Sequence, residues 1–238
     1  MTEKLYWKDA YTREFEAEVA KADGKRLILD KTIFYPTGGG QLNDTGTVTA
    51  QDGETYRVVD VKQEGDEIVH FLDREFVSGA SSIKGSIDWE RRYSLMRYHT
   101  AVHVVGATME KEYHAKFKGG MIYVDRAHID WDMPELNREL SGKIIERSNA
   151  VIAEDRRVIS RFISRDEALG IPDLVRTEPG RELIKRLEAV RIVEIEGFDT
   201  QTDGGTHVAN TKEIGIVALS GFENKGAHSK RMEISLQR

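Results

Sequence analysis

Two histidines four residues apart, His99 and His103, stand in a stretch whose apolar residues fall near a helical repeat. On a helix, positions i and i+4 share a face one turn apart, so two imidazoles placed this way can grip one metal ion. A second segment, Asp203-Gly-Gly-Thr-His207, sets a carboxylate and a third imidazole at the same spacing beside two glycines. The glycines point to a tight turn. Three nitrogen donors and one oxygen donor form a set that suits zinc. Neither pair is specific alone, because histidine is commonly an ordinary polar surface residue. Position 100 is threonine, so the His-Glu-x-x-His pattern of metalloproteases does not apply.

The element that must carry the first pair runs from Trp89 to about Tyr113, where only Gly106 interrupts and Leu95, Val102, Val105 and Met109 mark a helical period. Ala101 and Val102 are expected to pack inward while the histidines line an opening. Before this helix the chain reads as short strands and turns. Phe15–Val19 and Arg26–Asp30 flank Asp23-Gly24, Gly46–Ala50 and Tyr56–Lys62 flank Asp52-Gly53, and Glu67–Leu72 and Ser82–Asp88 follow. A β-barrel fits this run. Inside it, Phe34-Tyr-Pro-Thr-Gly-Gly-Gly-Gln41 cannot be regular structure; three glycines let a backbone approach a ligand closely. After the helix, Lys118-Gly-Gly120 is expected to break the chain, with strands at 121–125 and 128–131. A long helix is expected over 135–154 behind Pro134, then a strand at 157–163 and a capped short helix from Ser164. A connector is expected over 170–179, a helical or irregular stretch at 181–187, and strands at 191–196, 214–221 and 231–236. The fold class expected is α+β: a small β-barrel over 1–88, then an α+β domain over 89–238 that carries the metal-ligating residues.

Composition narrows the function classes. The 238 residues are 39% hydrophobic and 32% charged, enough for a real core under a charged surface. No run of 18 apolar residues occurs, so no membrane span or membrane partner is expected. The N-terminus lacks the apolar core of a signal peptide, and cysteine is absent, so a cytoplasmic home is expected. A net charge of −6 argues against a general nucleic-acid coat protein. It leaves room for a selective contact through a local basic patch. Candidates are Arg91, Arg92 and Arg97; Lys116 and Lys118; Arg156, Arg157, Arg161 and Arg165; and Lys225, Lys230 and Arg231. Each cluster can equally be a solvated face. His70, inside a strand pattern, reads as structural, and His228, among basic residues in a loop, as a possible phosphate contact.

Taken together, Phe34–Gln41 with Asp44-Thr-Gly46, His99-Thr-Ala-Val-His103, and Gly204-Gly-Thr-His-Val208 followed by Thr211–Gly215 resemble the AlaX family of free-standing alanyl-tRNA editing proteins and the editing domain of alanyl-tRNA synthetase. The pieces occur in the family's order and span nearly the whole chain. The length is similar to that of the medium-sized members and leaves no room for an aminoacylation domain. The family usually has cysteine where this chain has Asp203. A carboxylate is a harder ligand that accepts zinc at similar lengths, about 2.0–2.2 Å, and opens the site to other divalent metals. Two alternatives stay open at this position: Asp203 as an outer group or base beside a three-histidine site, and a weakened or lost metal site.

The resemblance implies hydrolysis of tRNA(Ala) mischarged with serine or glycine, bound through its acceptor stem, by a protein expected to be a monomer. The implied ligands of one Zn2+ are His99, His103, Asp203 and His207. Thr37 is the candidate for bonding the seryl hydroxyl, Gly38, Gly39 and Gly40 for turning amides toward the acyl group, and Gln41 for orienting water or substrate. Without the resemblance, Thr37 reads equally as a turn residue after Pro36, and Gln41 as a loop cap. Two other classes remain: a non-catalytic tRNA- or metal-binding module, and a metal hydrolase for another ester.

Overall fold

The computed structural model describes residues 1–172, 174, 175 and 178–237. They form two compact units, Met1–Leu95 and Met96–Arg238.

The first unit is the expected barrel. Its strands are β1 (Glu3–Lys4), β2 (Glu14–Asp23), β3 (Arg26–Leu29), β4 (Lys31–Thr32), β5 (Gly46–Ala50), β6 (Thr55–Glu64), β7 (Glu67–Leu72) and β8 (Ser82–Ile87). Strands β2-β3-β7-β6-β5-β8 close on one another in that order, while β1 and β4 form a short parallel pair at the side. Residues 5–7 are a single 3-10 turn. Alternation explains the closure: in β2 the Glu14, Glu16 and Glu18 side chains face water while Phe15 and Ala17 face inward. The inward residues Phe15, Leu27, Leu29, Val48, Val58 and Val61 join Ile33 and Phe34 in one apolar core.

His70 is structural, as expected. It is fully buried, with Nδ1 3.0 Å from the Leu27 carbonyl and Nε2 2.8 Å from the Thr32 hydroxyl. The carbonyl can only accept, so Nδ1 carries the proton and Thr32 donates to Nε2. Burial pushes the imidazole down to about 4, outweighing the bond to Leu27.

Helix α1 (Trp89–Tyr113) has the expected bounds and passes from the first unit into the second. There follow β9 (Lys116–Ile122), β10 (Ala127–Asp132), α2 (Arg138–Ala153), β11 (Val158–Ser164), α3 (Arg165–Gly170), α4 (Glu178–Ile184), β12 (Ala189–Ile195), β13 (Asp199–Thr202), β14 (Ile216–Gly226) and β15 (Ser229–Gln237). They build a four-stranded sheet, β14-β15-β10-β9, and a three-stranded sheet, β11-β12-β13, both antiparallel. The class is α+β. Among the described residues no helix is long and apolar enough to cross a membrane.

Four expectations are corrected here. Gly119 and Gly120 do not break the chain but lie inside β9, because Gly120 packs so closely on β10 that a Cβ there would sit 2.7 Å from the His128 carbonyl oxygen. The strand ends at Ile122, not at Asp125. The long helix starts at Arg138, not behind Pro134, because the Asn137 side chain accepts the Leu140 N–H at 2.9 Å and caps it. Ile214 ends a 3-10 turn, Thr211–Ile214, and the strand after it begins at Ile216. The short helix from Ser164 is capped as expected, its hydroxyl accepting from Glu167 N–H. The connector expected over 170–179 falls partly on residues 173, 176 and 177, which lie outside the described residues, and its last two residues open α4.

Candidate metal centre

Helix α1 presents His99 and His103 one turn apart, and the loop after β13 carries Asp203 and His207. In the second unit these four side chains meet. One ligand atom from each lies within 4.8 Å of every other. Nε2 of His99, His103 and His207 stands 3.1, 3.4 and 3.3 Å from an Asp203 carboxylate oxygen. A tetrahedron of ligands at about 2.05 Å from a zinc ion has edges of about 3.3 Å. The three distances to Asp203, two to Oδ2 and one to Oδ1, are near such an edge, and the other donor pairs lie within 4.8 Å. The imidazoles do not line an open mouth, as was expected; all three are buried.

The ionisation directions at His103, Asp203 and His207 suit the donors of a cation. Burial pushes His207 well down, and the neighbouring His99 adds to that; burial likewise pushes His103 down against the pull of Asp203. Burial alone would raise Asp203, but the His99 charge and the bonds to the three imidazoles outweigh it and hold the carboxyl well below its usual range. The donors at 103 and 207 are thus neutral with lone pairs to give, and the fourth is an anion. The outer nitrogen of His103, Nδ1, is buried and has no hydrogen-bond partner among the described residues.

Two residues that the sequence reading passed over shape the centre. Arg191, in β12, donates from Nη1 to the carbonyls of Asp203, at 2.8 Å, and Gly205, at 3.0 Å, and so sets the path of the ligand loop. The Gly205 N–H donates to Asp203 Oδ1, the turn that the paired glycines foretold. Thr100 is buried between His99 and His207. A charged residue inside the apolar run Val190–Ile195 was a readable signal for Arg191, because a buried charge must have partners. Thr100 gave none, since threonine in a helix is unremarkable.

The glycine loop belongs to the first unit. Gly38 and Gln41 exchange backbone hydrogen bonds across Gly39 (φ 58°) and Gly40 (φ 81°), a tight turn whose left-handed backbone suits glycine. The Gly38 N–H is therefore committed to Gln41, and Gln41 is fully buried. The Thr37 hydroxyl donates to Asn43 Oδ1 at 3.2 Å and accepts from the Asn43 N–H at 3.1 Å. Below the loop, Asp44 accepts from the Tyr35 N–H at 2.6 Å and pairs with Arg92 in full burial. Arg92 also donates to the carbonyls of Ala10, at 2.8 Å, and Ile33, at 2.5 Å.

Arg92 is thus no part of a basic patch; its charge is needed inside, against Asp44. The same correction applies to Lys230, buried and donating to the Gly226 and Ala227 carbonyls, and to Arg97, which donates to the carbonyls of Glu213 and Ile214. Arg231 holds Asp130 through two bonds of 2.7 Å. His228 lies 3.3 Å from Asp132. Lys116, Lys118, Arg157, Arg161, Arg165 and Lys225 remain exposed.

Comparison with known proteins places this arrangement. Residues 6–91 match the family described as tRNA synthetases class II (A), and residues 190–233 the threonyl and alanyl tRNA synthetase second additional domain. The chain is 43% identical over 234 residues, 98% of each chain, to the alanyl-tRNA editing protein AlaX-M of Saccharolobus solfataricus. The chain belongs to the AlaX-M family of alanyl-tRNA editing proteins. The AlaX-M protein of Methanosarcina barkeri is 39% identical over 242 residues, 99% of each chain. The alanine–tRNA ligase of Metallosphaera sedula is 40% identical over 227 residues, which are 93% of this AlaX-M chain and 25% of the ligase.

Proposed function

We propose that this chain is a trans-editing deacylase: it hydrolyses the ester of tRNA(Ala) mischarged chiefly with serine, with the help of a divalent metal. The observation that carries the reading is the buried convergence of His99, His103, Asp203 and His207 in a member of this family. These four residues would hold the ion, with zinc the first choice on donor type and spacing. A bound ion supplies Lewis acidity for the ester carbonyl or for the attacking water.

The chemical need is specific. A synthetic pocket for alanine rejects glycine weakly, since one methyl group is worth only about 1–3 kcal/mol, and an added hydroxyl is also hard to exclude. For serine, a second site solves the problem by demanding the hydroxyl, a demand that neither alanine nor glycine meets. Thr37 is assigned that demand. Its one proton goes to Asn43 Oδ1 and one lone pair to the Asn43 N–H, which leaves a lone pair free to accept the seryl O–H. An alanyl group offers no such donor. The Gly39 and Gly40 amides are assigned to the acyl group, and Gly38 and Gln41 to closing the loop that presents them. The exposed lysines and arginines at 116, 118, 157, 161, 165 and 225 are candidates for acceptor-stem phosphates.

The test is loss of charge from seryl- and alanyl-tRNA(Ala) incubated with purified protein. The expected outcome is rapid release of serine with alanine largely spared, abolished by chelation and restored by zinc. Serine release no faster than the spontaneous rate, with metal supplied, would reject the deacylase reading; retained tRNA binding in that case would mark a binding module. Full activity in a verified metal-free sample would reject the metal's part alone.

A further inference from the structure

We infer that Thr100 is a positioning residue for the metal centre: its hydroxyl holds the His207 ring so that Nε2 offers its lone pair to the ion. The inference rests on the metal reading above and adds a residue to it.

The geometry is a three-bond junction at one buried oxygen. Thr100 Oγ1 lies 3.0 Å from the Met96 carbonyl, 3.2 Å from the Val208 nitrogen and 3.2 Å from His207 Nδ1. A hydroxyl has one proton and two lone pairs. The Met96 carbonyl can only accept, so it takes the proton. The Val208 N–H can only donate, so it takes one lone pair. The second lone pair then requires a donor, and the Nδ1–H of His207 is that donor. A neutral imidazole protonated at Nδ1 has its lone pair at Nε2, and His207 Nε2 is the atom turned toward Asp203, where it would meet an ion held by the cluster. In metal sites the outer-nitrogen bond of a ligating histidine sets both tautomer and ring orientation.

The residue also joins the two ligand-bearing segments. It follows His99 directly in α1 and grips both the His207 side chain and the next backbone amide of the loop. One hydroxyl therefore fixes how the loop's ligands stand against those of the helix. Among the described residues His103 Nδ1 meets no partner, so the support that Thr100 gives His207 has no counterpart at His103.

Zinc affinity of the full chain tests this, measured by competition with a chromophoric chelator on metal-stripped protein. The variants are Thr100→Val, which keeps the shape and removes the hydroxyl, and Thr100→Ser, which restores it. Loss of an outer-shell partner typically weakens binding by about 10–100-fold. Thr100→Val is expected in that range, with Thr100→Ser close to wild type. Equal affinity in wild type and Thr100→Val overturns the inference. So does a Thr100→Ser variant as weak as Thr100→Val, because packing rather than the hydroxyl would then matter. Wild-type protein that binds no zinc overturns the metal reading itself, a separate result. If Thr100→Val does not fold, judged by circular dichroism of the metal-free protein, Thr100→Ala replaces it under the same criteria.

Discussion

Thr37 is the residue on which the proposed discrimination turns. Its replacement by valine preserves shape and removes the lone pair offered to a seryl hydroxyl. The expected outcome is a lower rate on seryl-tRNA(Ala) with little change on alanyl-tRNA(Ala), a loss of about 1–2 kcal/mol for one hydrogen bond, or roughly tenfold. The ratio of the two deacylation rates checks it, and an unchanged ratio would clear Thr37 of the role. At 203, alanine removes the one anion among the four donors and is expected to weaken zinc binding sharply, whereas cysteine is expected to retain it; equilibrium dialysis with zinc distinguishes them. At this scale the convergence of His99, His103, Asp203 and His207 was legible in the sequence, because a helical period fixes what a spacing of four means and a glycine pair announces a bend. Thr100 was not legible: its meaning lies in a bond to a residue 107 positions away.

At the scale of elements, the strand pattern of the barrel could be read from alternation, since strands such as β2 bury one face and leave the other wet, and α1 from its long run without breakers, although residues 98–109 are buried all round. What could not be read were contacts between distant elements. Arg92 follows Arg91 on a helix and looks like part of a charged face. Only its partner Asp44, 48 residues earlier, shows that it is a core residue. The strand β9 hid behind its glycines for the same reason, since the close approach of β10 that calls for a missing Cβ is a tertiary fact. The Arg92–Asp44 pair gives a sharp prediction. Arg92→Met leaves a buried carboxylate uncompensated and is expected to cost about 3–5 kcal/mol. Urea unfolding checks this, with a midpoint close to wild type as the refuting result. The glycine loop should loosen with it, because Asp44 also holds the Tyr35 amide at its base.

For the whole molecule, two conditions act on two different units. His70 is buried neutral in Met1–Leu95, with a value near 4 against an ordinary 6.5. The unfolded chain therefore takes up a proton at this histidine before the folded chain does. Its contribution to stability is complete above 6.5 and is lost as pH falls toward 4, by up to about 3 kcal/mol. The difference in unfolding free energy between wild type and His70→Gln should shrink over that window; a constant difference refutes the assignment. Metal acts on Met96–Arg238. Zinc at 100 times its dissociation constant is expected to add about 2.7 kcal/mol there, and hydrogen exchange should show the added protection around α1 and the 203–208 loop. Finally, the centre has a carboxylate, Asp203, as its one non-histidine donor, and the chain has no cysteine anywhere. Peroxide, which drives a thiolate to sulfenic and sulfinic acids, finds no thiol in this cage to attack. Alkylating reagents aimed at thiols have no target either. A metal held by nitrogen and oxygen alone needs no reductant to keep its ligands intact, so editing by this protein should persist under oxidative stress that would disarm a sulfur-ligated counterpart.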